Sequence, residues 1–460
     1  MTTSISSVVF FLFFFLLFIT VPKASPQTTE VQAYRDTANL IINTALENKE
    51  GFDRLTTFVD YYPKRLSGSK NLEISIDWAL EKLKEDGFEN VRAQPVKVPH
   101  WVRGSEHAKM ILPYEKKLPM LGLGGSIGTG QDTLVTEVLV VNSFDNLLDK
   151  AELINGKIVL YNVPFTTYGE TVQYRMTGAV RAARLGAVGT LIRSVTPYSM
   201  QTPHTGNSRY QDGIPNIPHA AITPEDAMLI QRMQNRGEKI EVELYMEAQT
   251  LPDTESRNVI AEFPGSEYPD QIITIGGHID SWDVGQGAMD DAGGVFAAWE
   301  AARILKNLNL QPKRTIRLVF WTNEENGLRG AEKYKEKAIE EGVTNHIFAL
   351  GSDFGVFRPV GLSFSGTDKA VEILAEIGTL LDSIDSGEVM RGNVAPDITP
   401  LIRENIPGAG LVTENERYFW YHHTAADTID KLDINEFNMC VATIAVFSYV
   451  VADMEIKLPR

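Results

Sequence analysis

The sequence predicts an α/β protein with a mostly parallel-centred sheet covered by helices and a β-rich module inserted into it. Three observations predict this. After Arg257, apolar runs of strand length alternate with segments of helical periodicity. Three successive runs end in histidine or carboxylate residues. Between about residues 120 and 249 the texture changes to glycine- and proline-rich turns without such clusters. Strands alternating with helices imply parallel neighbours, right-handed crossovers and a ligand site at the carboxyl ends of the strands.

The chain of 460 residues exceeds what one hydrophobic core organises and suffices for two. A net charge of −17 excludes binding to a phosphate backbone, which needs a basic surface, so no nucleic-acid partner is expected. Residues 8–21 form an apolar block followed by Pro22, Lys23, Ala24 and Ser25, the build of a secretory leader over residues 1–24. The block is shorter than the roughly 20 residues of a membrane span. Its N-terminal flank, residues 1–7, carries no Lys or Arg, a departure from the usual leader. Residues 441–451 are apolar but end at Asp453, which predicts a buried C-terminal helix, so the mature chain is expected to have no membrane span. The single cysteine, Cys440, rules out an intramolecular disulfide, and no Asn-x-Ser/Thr acceptor exists.

Helical spacing of Val31, Tyr34, Ala38, Ile41, Ile42 and Ala45 predicts a helix near the start. Residues 25–48 are then either a removable pro-segment or the first helix of the fold. Helices are expected over 52–60 and 74–86, and a strand over 90–98, in a first part of the catalytic domain at 49–119. The insertion, 120–249, should contain strands at 157–163, 189–193 and 239–246 and helices at 178–185 and 224–234. The second catalytic part, 250–460, begins with strand 272–275, helix 293–307, strand 315–321, helix 328–341 and strand 346–350.

The strand ends carry the chemistry. His278, Asp280, Asp283, Asp290 and Asp291 follow the first strand, Glu324 and Glu325 the second, and Asp353 the third. Singly, each reads as a helix cap or a solvated turn. Jointly, three neighbouring strand ends supplying imidazole and carboxylate describe a site for a borderline divalent metal such as zinc. Paired glutamates suit a metal-dependent hydrolase, which needs one carboxylate on the metal and one free to take a proton from water. The spacing His278-Ile-Asp280 lets the Asp280 carboxylate accept the second imidazole N–H. Residues 417–430 add His422 and His423 among aromatics, followed by Asp427.

These residues, in GGHIDSWDVGQGAMDDAGG, RTIRLVFWTNEENG, SDFG, HHTAADT, YPKRLSGSKNLE and VPHWVRG, resemble the co-catalytic zinc exopeptidases of the aminopeptidase and glutamate carboxypeptidase type from about residue 56 to the C-terminus. The resemblance implies the zinc exopeptidase fold, with an inserted protease-associated domain. It implies two zinc ions per chain, bridged by Asp290, one also held by His278 and Asp353 and the other by Glu325 and His423. Glu324 falls on the general base, and Asp280 and Asp427 on positions that support the ligands; His422 is then a neighbour. Gly351 stands where relatives carry an acidic residue. A cleavable pro-segment, a homodimer, a secreted or lysosomal location and hydrolysis of small peptides, notably unblocked dipeptides, are implied likewise. Tyr418, Arg391, Arg403 and the aromatics around Trp420 are available to read the substrate termini, with nothing in their spacing to choose among them.

Overall fold

The computed structural model describes residues 30–460. The leader expected at 1–24 and the first residues of the candidate pro-segment lie outside the described residues. In chain order the strands are β1 (Glu89–Val102), β2 (Glu106–Leu112), β3 (Lys116–Leu118), β4 (Met120–Gly122), β5 (Leu134–Val141), β6 (Ile158–Tyr161), β7 (Gly189–Arg193), β8 (His219–Ile222), β9 (Glu241–Met246), β10 (Gln249–Phe263), β11 (Tyr268–His278), β12 (Arg314–Trp321), β13 (His346–Gly351), β14 (Pro359–Ser365), β15 (Glu388–Arg391) and β16 (Gly408–Thr413).

Two eight-stranded sheets result. The first has the order β1-β10-β12-β11-β13-β16-β14-β15. Its centre is parallel, β12 with β11, β11 with β13 and β13 with β16. Antiparallel pairing flanks this centre through β10 on one side and β14 on the other. The second sheet, β3-β2-β9-β5-β6-β7-β8-β4, is parallel from β5 to β8 and antiparallel outside. The chain leaves the first sheet along β1 and returns along β10, and these two strands pair antiparallel from Glu89 to Val102. The second sheet is thus one insertion hung from a paired ribbon. The boundary expected at residue 120 falls inside this sheet, whose first strand starts at Glu106.

Helix Gly293–Asn307 is buried from Gly293 to Leu305 and packs against β11 and the C-terminal helix Ile434–Asp453. The latter is long and apolar enough to span a membrane, yet 78% of its apolar stretch is buried in the fold, so it serves as a core helix. Helix Arg35–Glu47 joins the same core through Ala38, Ile41, Ile42 and Ala45. Asn438 donates to the carbonyls of Leu46 and Asn48 at its end, and Tyr34 donates to Asp453.

The elements expected from periodicity after Arg257 occur with small shifts of their ends. Inside the insertion, the helix expected at 178–185 instead runs Tyr168–Ala183. Its true start is an N-cap: the Thr167 hydroxyl accepts from the Glu170 N–H, and the Glu170 carboxylate accepts from the Thr166 hydroxyl. The first turns carry few apolar residues, so periodicity alone misses them.

His219, in the insertion, and His346, on β13, are buried. Burial lowers His219 to about 4, and burial with the positive Arg317 and Arg460 lowers His346 to about 3. The folded chain therefore keeps both neutral, whereas the unfolded chain takes up protons below about pH 6.5. Stability rises with pH between about 4 and 6.5, each histidine contributing up to about 1.4 kcal/mol per unit. Thermal melting should show a lower midpoint at pH 4.5 than at 6.5, and His346→Gln, which retains an acceptor for the Tyr334 hydroxyl, should flatten that slope. An unchanged slope would remove His346 from the account.

Candidate metal centre

The parallel register sets the site. His278 ends β11 opposite Trp321 of β12, and Gly276 lies opposite Gly351 of β13, so His278, Glu324-Glu325 and Asp353 leave the sheet along one edge. The loop after β11 then turns back. Arg65, fully buried, donates to the carbonyls of Tyr62, Ile279, Gln286 and Gly287, and so clamps both ends of the segment from Ile279 to Gly287. Burial lowers its guanidinium to about 10, with Asp427 and Asp280 opposing the fall, so it stays charged at neutral pH.

The clamp delivers Asp290 between two imidazoles. Its Oδ1 lies 3.2 Å from His278 Nε2, and its Oδ2 lies 3.3 Å from His423 Nε2. Asp353 Oδ1 is 3.1 Å from His278 Nε2, and Glu325 Oε2 is 3.0 Å from His423 Nε2. One carboxylate thus faces two separate nitrogen and oxygen pairs. Burial opposes ionisation of Asp290, but the adjacent His278 and His423 imidazoles hold its carboxyl well below the usual range.

Donor atoms of His278, Asp290 and Glu325 lie within 4.8 Å of one another, as do those of Asp290, His422 and His423 and those of His278, Asp291 and Asp353. Hydrogen bonding separates ligands from neighbours. Asp291 spends its oxygens on the backbone N–H groups of His278 and Gly294. Asp290 Oδ2 and Glu325 Oε2 are buried without a hydrogen-bond partner, a costly state for carboxylate oxygens unless a cation meets them. The set of imidazole nitrogen and carboxylate oxygen fits zinc. His422 stacks on His423 with ring centroids 3.5 Å apart, and its Nε2 stands 3.6 Å from Asp290.

The supporting carboxylates act on backbone. Asp427 accepts from the N–H groups of Ala288, Met289 and Asp290, which fixes the peptide that carries the central aspartate. Asp280 accepts from the N–H groups of Glu324 and Glu325. Its expected contact with the second imidazole nitrogen differs: His278 Nδ1 is 3.0 Å from the Asp280 backbone carbonyl and 3.7 Å from the carboxylate. The carboxylate is occupied by the glutamate loop, and the carbonyl orients the ring instead.

Residues 258–448 match the model of peptidase family M28. The chain is 48% identical to carboxypeptidase Q of Bos taurus over 434 residues, 94% of this chain and 92% of that protein, and 47% identical to carboxypeptidase Q of Homo sapiens over the same shares. The chain belongs to peptidase family M28. The structure of a peptidase M28 precursor from Shewanella amazonensis superposes with a TM-score of 0.90 at 33% identity, covering 94% of this chain and 99% of that one. A zinc aminopeptidase from Bacillus subtilis shares the fold, with a TM-score of 0.66 at 18% identity over 89% of this chain and 96% of that one. The protein is accordingly an M28 peptidase with the α/β fold of these relatives.

A cavity of this M28 peptidase sits at the same strand ends as the candidate ligands. It encloses about 280 Å³ and is lined by Glu324, Asp290, Asp353, Tyr418 and Phe354 on one side and by Tyr168, Arg175, Asn207 and Arg209 of the insertion on the other. A larger hollow of about 400 Å³ between β1 and helix Arg329–Glu341 holds neither histidine nor aspartate, so its size carries no chemistry. Glu324 is partly exposed to the cavity, and its removal from bulk water together with the negative Asp353 raises its carboxyl well above the usual range. Arg391 and Arg403 are exposed and paired with Asp368 and Glu332, away from the cavity. Tyr418 is buried and directs its hydroxyl to the Asp353 carbonyl, and Trp420 packs on Tyr198 outside the cavity.

Sequence reasoning missed several residues. Asp283, without a role in the sequence reading, forms a two-pronged pair with Arg103 at 2.6 and 2.7 Å. Asp397 is buried with neither oxygen hydrogen-bonded among the described residues, and burial with the nearby Asp353 raises its carboxyl well above the usual range. At Gly351 a Cβ would meet the Ala395 Cβ at 2.5 Å, so this backbone has no room for an acidic side chain at that position. Arg65 offered no signal beyond a turn. Replacing Arg65 with Met should take this donor from the carbonyls of Tyr62, Ile279 and Gln286, leave Gly287 with the Ala292 N–H alone, and cost about 3 kcal/mol by denaturant unfolding, at roughly 1 kcal/mol for each of the first three. It should also lower zinc retention under dialysis; a variant as stable and metal-rich as wild type would mean that the clamp is dispensable.

Proposed function

We propose that this M28 peptidase is an exopeptidase acting on small peptides, above all dipeptides with both termini free, with two zinc ions per chain and Glu324 as general base. The observation that carries the reading is the split of Asp290, one oxygen toward His278 and Asp353 and the other toward His423 and Glu325. His278, Asp353 and Asp290 would hold one ion, and Glu325, His423 and Asp290 the other. Zinc supplies Lewis acidity there, polarising the peptide carbonyl and making water a nucleophile near neutral pH.

The chain's own residues do the rest. Glu324 lines the cavity without being needed as a ligand, and its raised carboxyl suits taking a proton from the attacking water and returning it to the leaving amine. Asp280 fixes the backbone of Glu324 and Glu325 together, so base and ligand move as one unit. A cavity of about 280 Å³ favours a short substrate. The carboxypeptidase name of its 48%-identical relative favours action at the carboxyl-terminal residue.

Entry into the secretory pathway, with an extracellular or lysosomal destination, is supported by the apolar block at residues 8–21. We read helix Arg35–Glu47 as part of the mature core, since its apolar face is buried there; cleavage of a pro-segment would then fall before it. A homodimer rests on the family resemblance alone.

Glu324→Gln should lower kcat on an unblocked dipeptide by about 10³-fold, the middle of the range for a general base, while zinc content by mass spectrometry stays at the wild-type level. Wild-type turnover in a fully metallated Gln variant would assign the base elsewhere.

A further inference from the structure

The VPHWVRG stretch ends the strand that leads into the insertion, and its arginine reaches the metal centre by two routes. Arg103 stands between β1 and β2, largely buried, with its guanidinium 5.0 Å from the Trp101 ring centroid. Its Nε and one terminal nitrogen meet the two oxygens of Asp283 at 2.7 and 2.6 Å, and the same terminal nitrogen donates to the Thr205 hydroxyl at 3.2 Å. The other terminal nitrogen donates to Glu106 and to the Gly122 carbonyl. Every N–H group of the fork is thus committed.

Asp283 and Thr205 are each one step from a ligand. Asp283 follows Trp282, whose backbone N–H donates to Glu325 Oε1 at 3.1 Å and whose ring packs edge-on against Trp101. Thr205, bonded to Arg103 through its hydroxyl, donates its backbone N–H to the His423 carbonyl at 3.0 Å. Glu325 and His423 face each other at 3.0 Å and would share one ion. The ligands of the other ion are held from within the catalytic part. The His278 N–H donates to Asp291, its Nδ1 lies against the Asp280 carbonyl, and the Asp353 carbonyl accepts from the Tyr418 hydroxyl. Asp290, common to both, donates its N–H to Asp427. A buried ion pair adds little net stability, but a fork with fixed bond directions sets position. We propose that Arg103 is a positioning residue for one metal ion only: it sets Glu325 through the Trp282-Asp283 segment and His423 through Thr205, so that the insertion governs loading of that ion. The ion of His278 and Asp353 is held by the catalytic part alone. The proposal rests on the two-ion reading given above.

Zinc binding to the metal-free protein at buffered free-metal concentrations, read as zinc per chain by mass spectrometry, tests it on wild type, Arg103→Met, Arg103→Lys and Thr205→Val. The wild type should show two dissociation constants. Arg103→Met should raise one of them roughly 10- to 100-fold, the range for residues that orient a ligand, and leave the other at its wild-type value. Arg103→Lys, which keeps the charge but not the fork, should recover part of the loss. Thr205→Val, which removes the hydroxyl and leaves the N–H on the His423 carbonyl, should weaken the same ion to a smaller extent. The zinc that Arg103→Met retains should survive an added His423→Asn and be lost on adding Asp353→Asn. Equal weakening of both ions, or retention of both at wild-type affinity, would overturn the proposal, as would the opposite dependence on His423 and Asp353. Should Arg103→Met not fold, Thr205→Val carries the same comparison. A wild type that saturates at one zinc sinks the two-ion reading; Arg103 then keeps a positioning role only if Arg103→Met weakens that ion and Arg103→Lys partly restores it.

Discussion

The structure depends on the burial of many carboxylates around two imidazoles. Asp280, Asp290, Asp291, Glu325, Asp353 and Asp427 are all buried near His278 or His423. Like charges in a poorly solvated space repel, and each costs several kcal/mol to desolvate. Four of them answer that cost at least in part with backbone: Asp280, Asp291 and Asp427 take N–H groups on both oxygens, and Glu325 takes one from Trp282. Among these six, Asp290 Oδ2 and Glu325 Oε2 are left without a hydrogen-bond partner where the ligand geometry converges, and nearby Asp397 leaves both of its own oxygens so. A cation at that point would match the remaining charge.

That arrangement requires both modules. Trp282, from the loop after β11, is buried in the core of the insertion against Trp101, and a Cβ on Gly124 would meet its ring at 2.1 Å. Asp283 beside it is locked to Arg103 at the root of the insertion. On the far side, the His423 carbonyl is held by the Thr205 N–H while its own backbone sits at φ +61°, a left-handed conformation uncommon outside glycine. The insertion thus fixes the position of a metal-type ligand and supplies half of the cavity wall.

Much of the fold was legible because the central strands are buried on both faces and read as continuous apolar runs, for example 315–321. Their polar ends stood out against that background. Residues 358–413 were not legible: β14, β15 and β16 are short, β16 begins Gly-Ala-Gly, and their identity comes from pairing with each other and with β13 rather than from local pattern. The site divided along the same line. His278, Glu324, Glu325 and Asp353 are adjacent to strands, so their proximity follows from parallel order. Arg65 lies at least 214 residues from Ile279, Gln286 and Gly287, Asp283 lies 180 residues from Arg103, and Arg209 is distant in sequence from Asp290, Glu324 and Asp353 across its cavity, so no spacing rule brings them together.

The central claim is that Asp290 joins two metal sites through its two oxygens. Zinc content per chain of wild type and Asp290→Asn, measured by mass spectrometry after dialysis and paired with activity on an unblocked dipeptide, tests it most directly. The account predicts two zinc ions in the wild type and at most one, with turnover lost, in Asp290→Asn. A wild type that saturates at one zinc, or an Asn variant that keeps two and remains active, would contradict it.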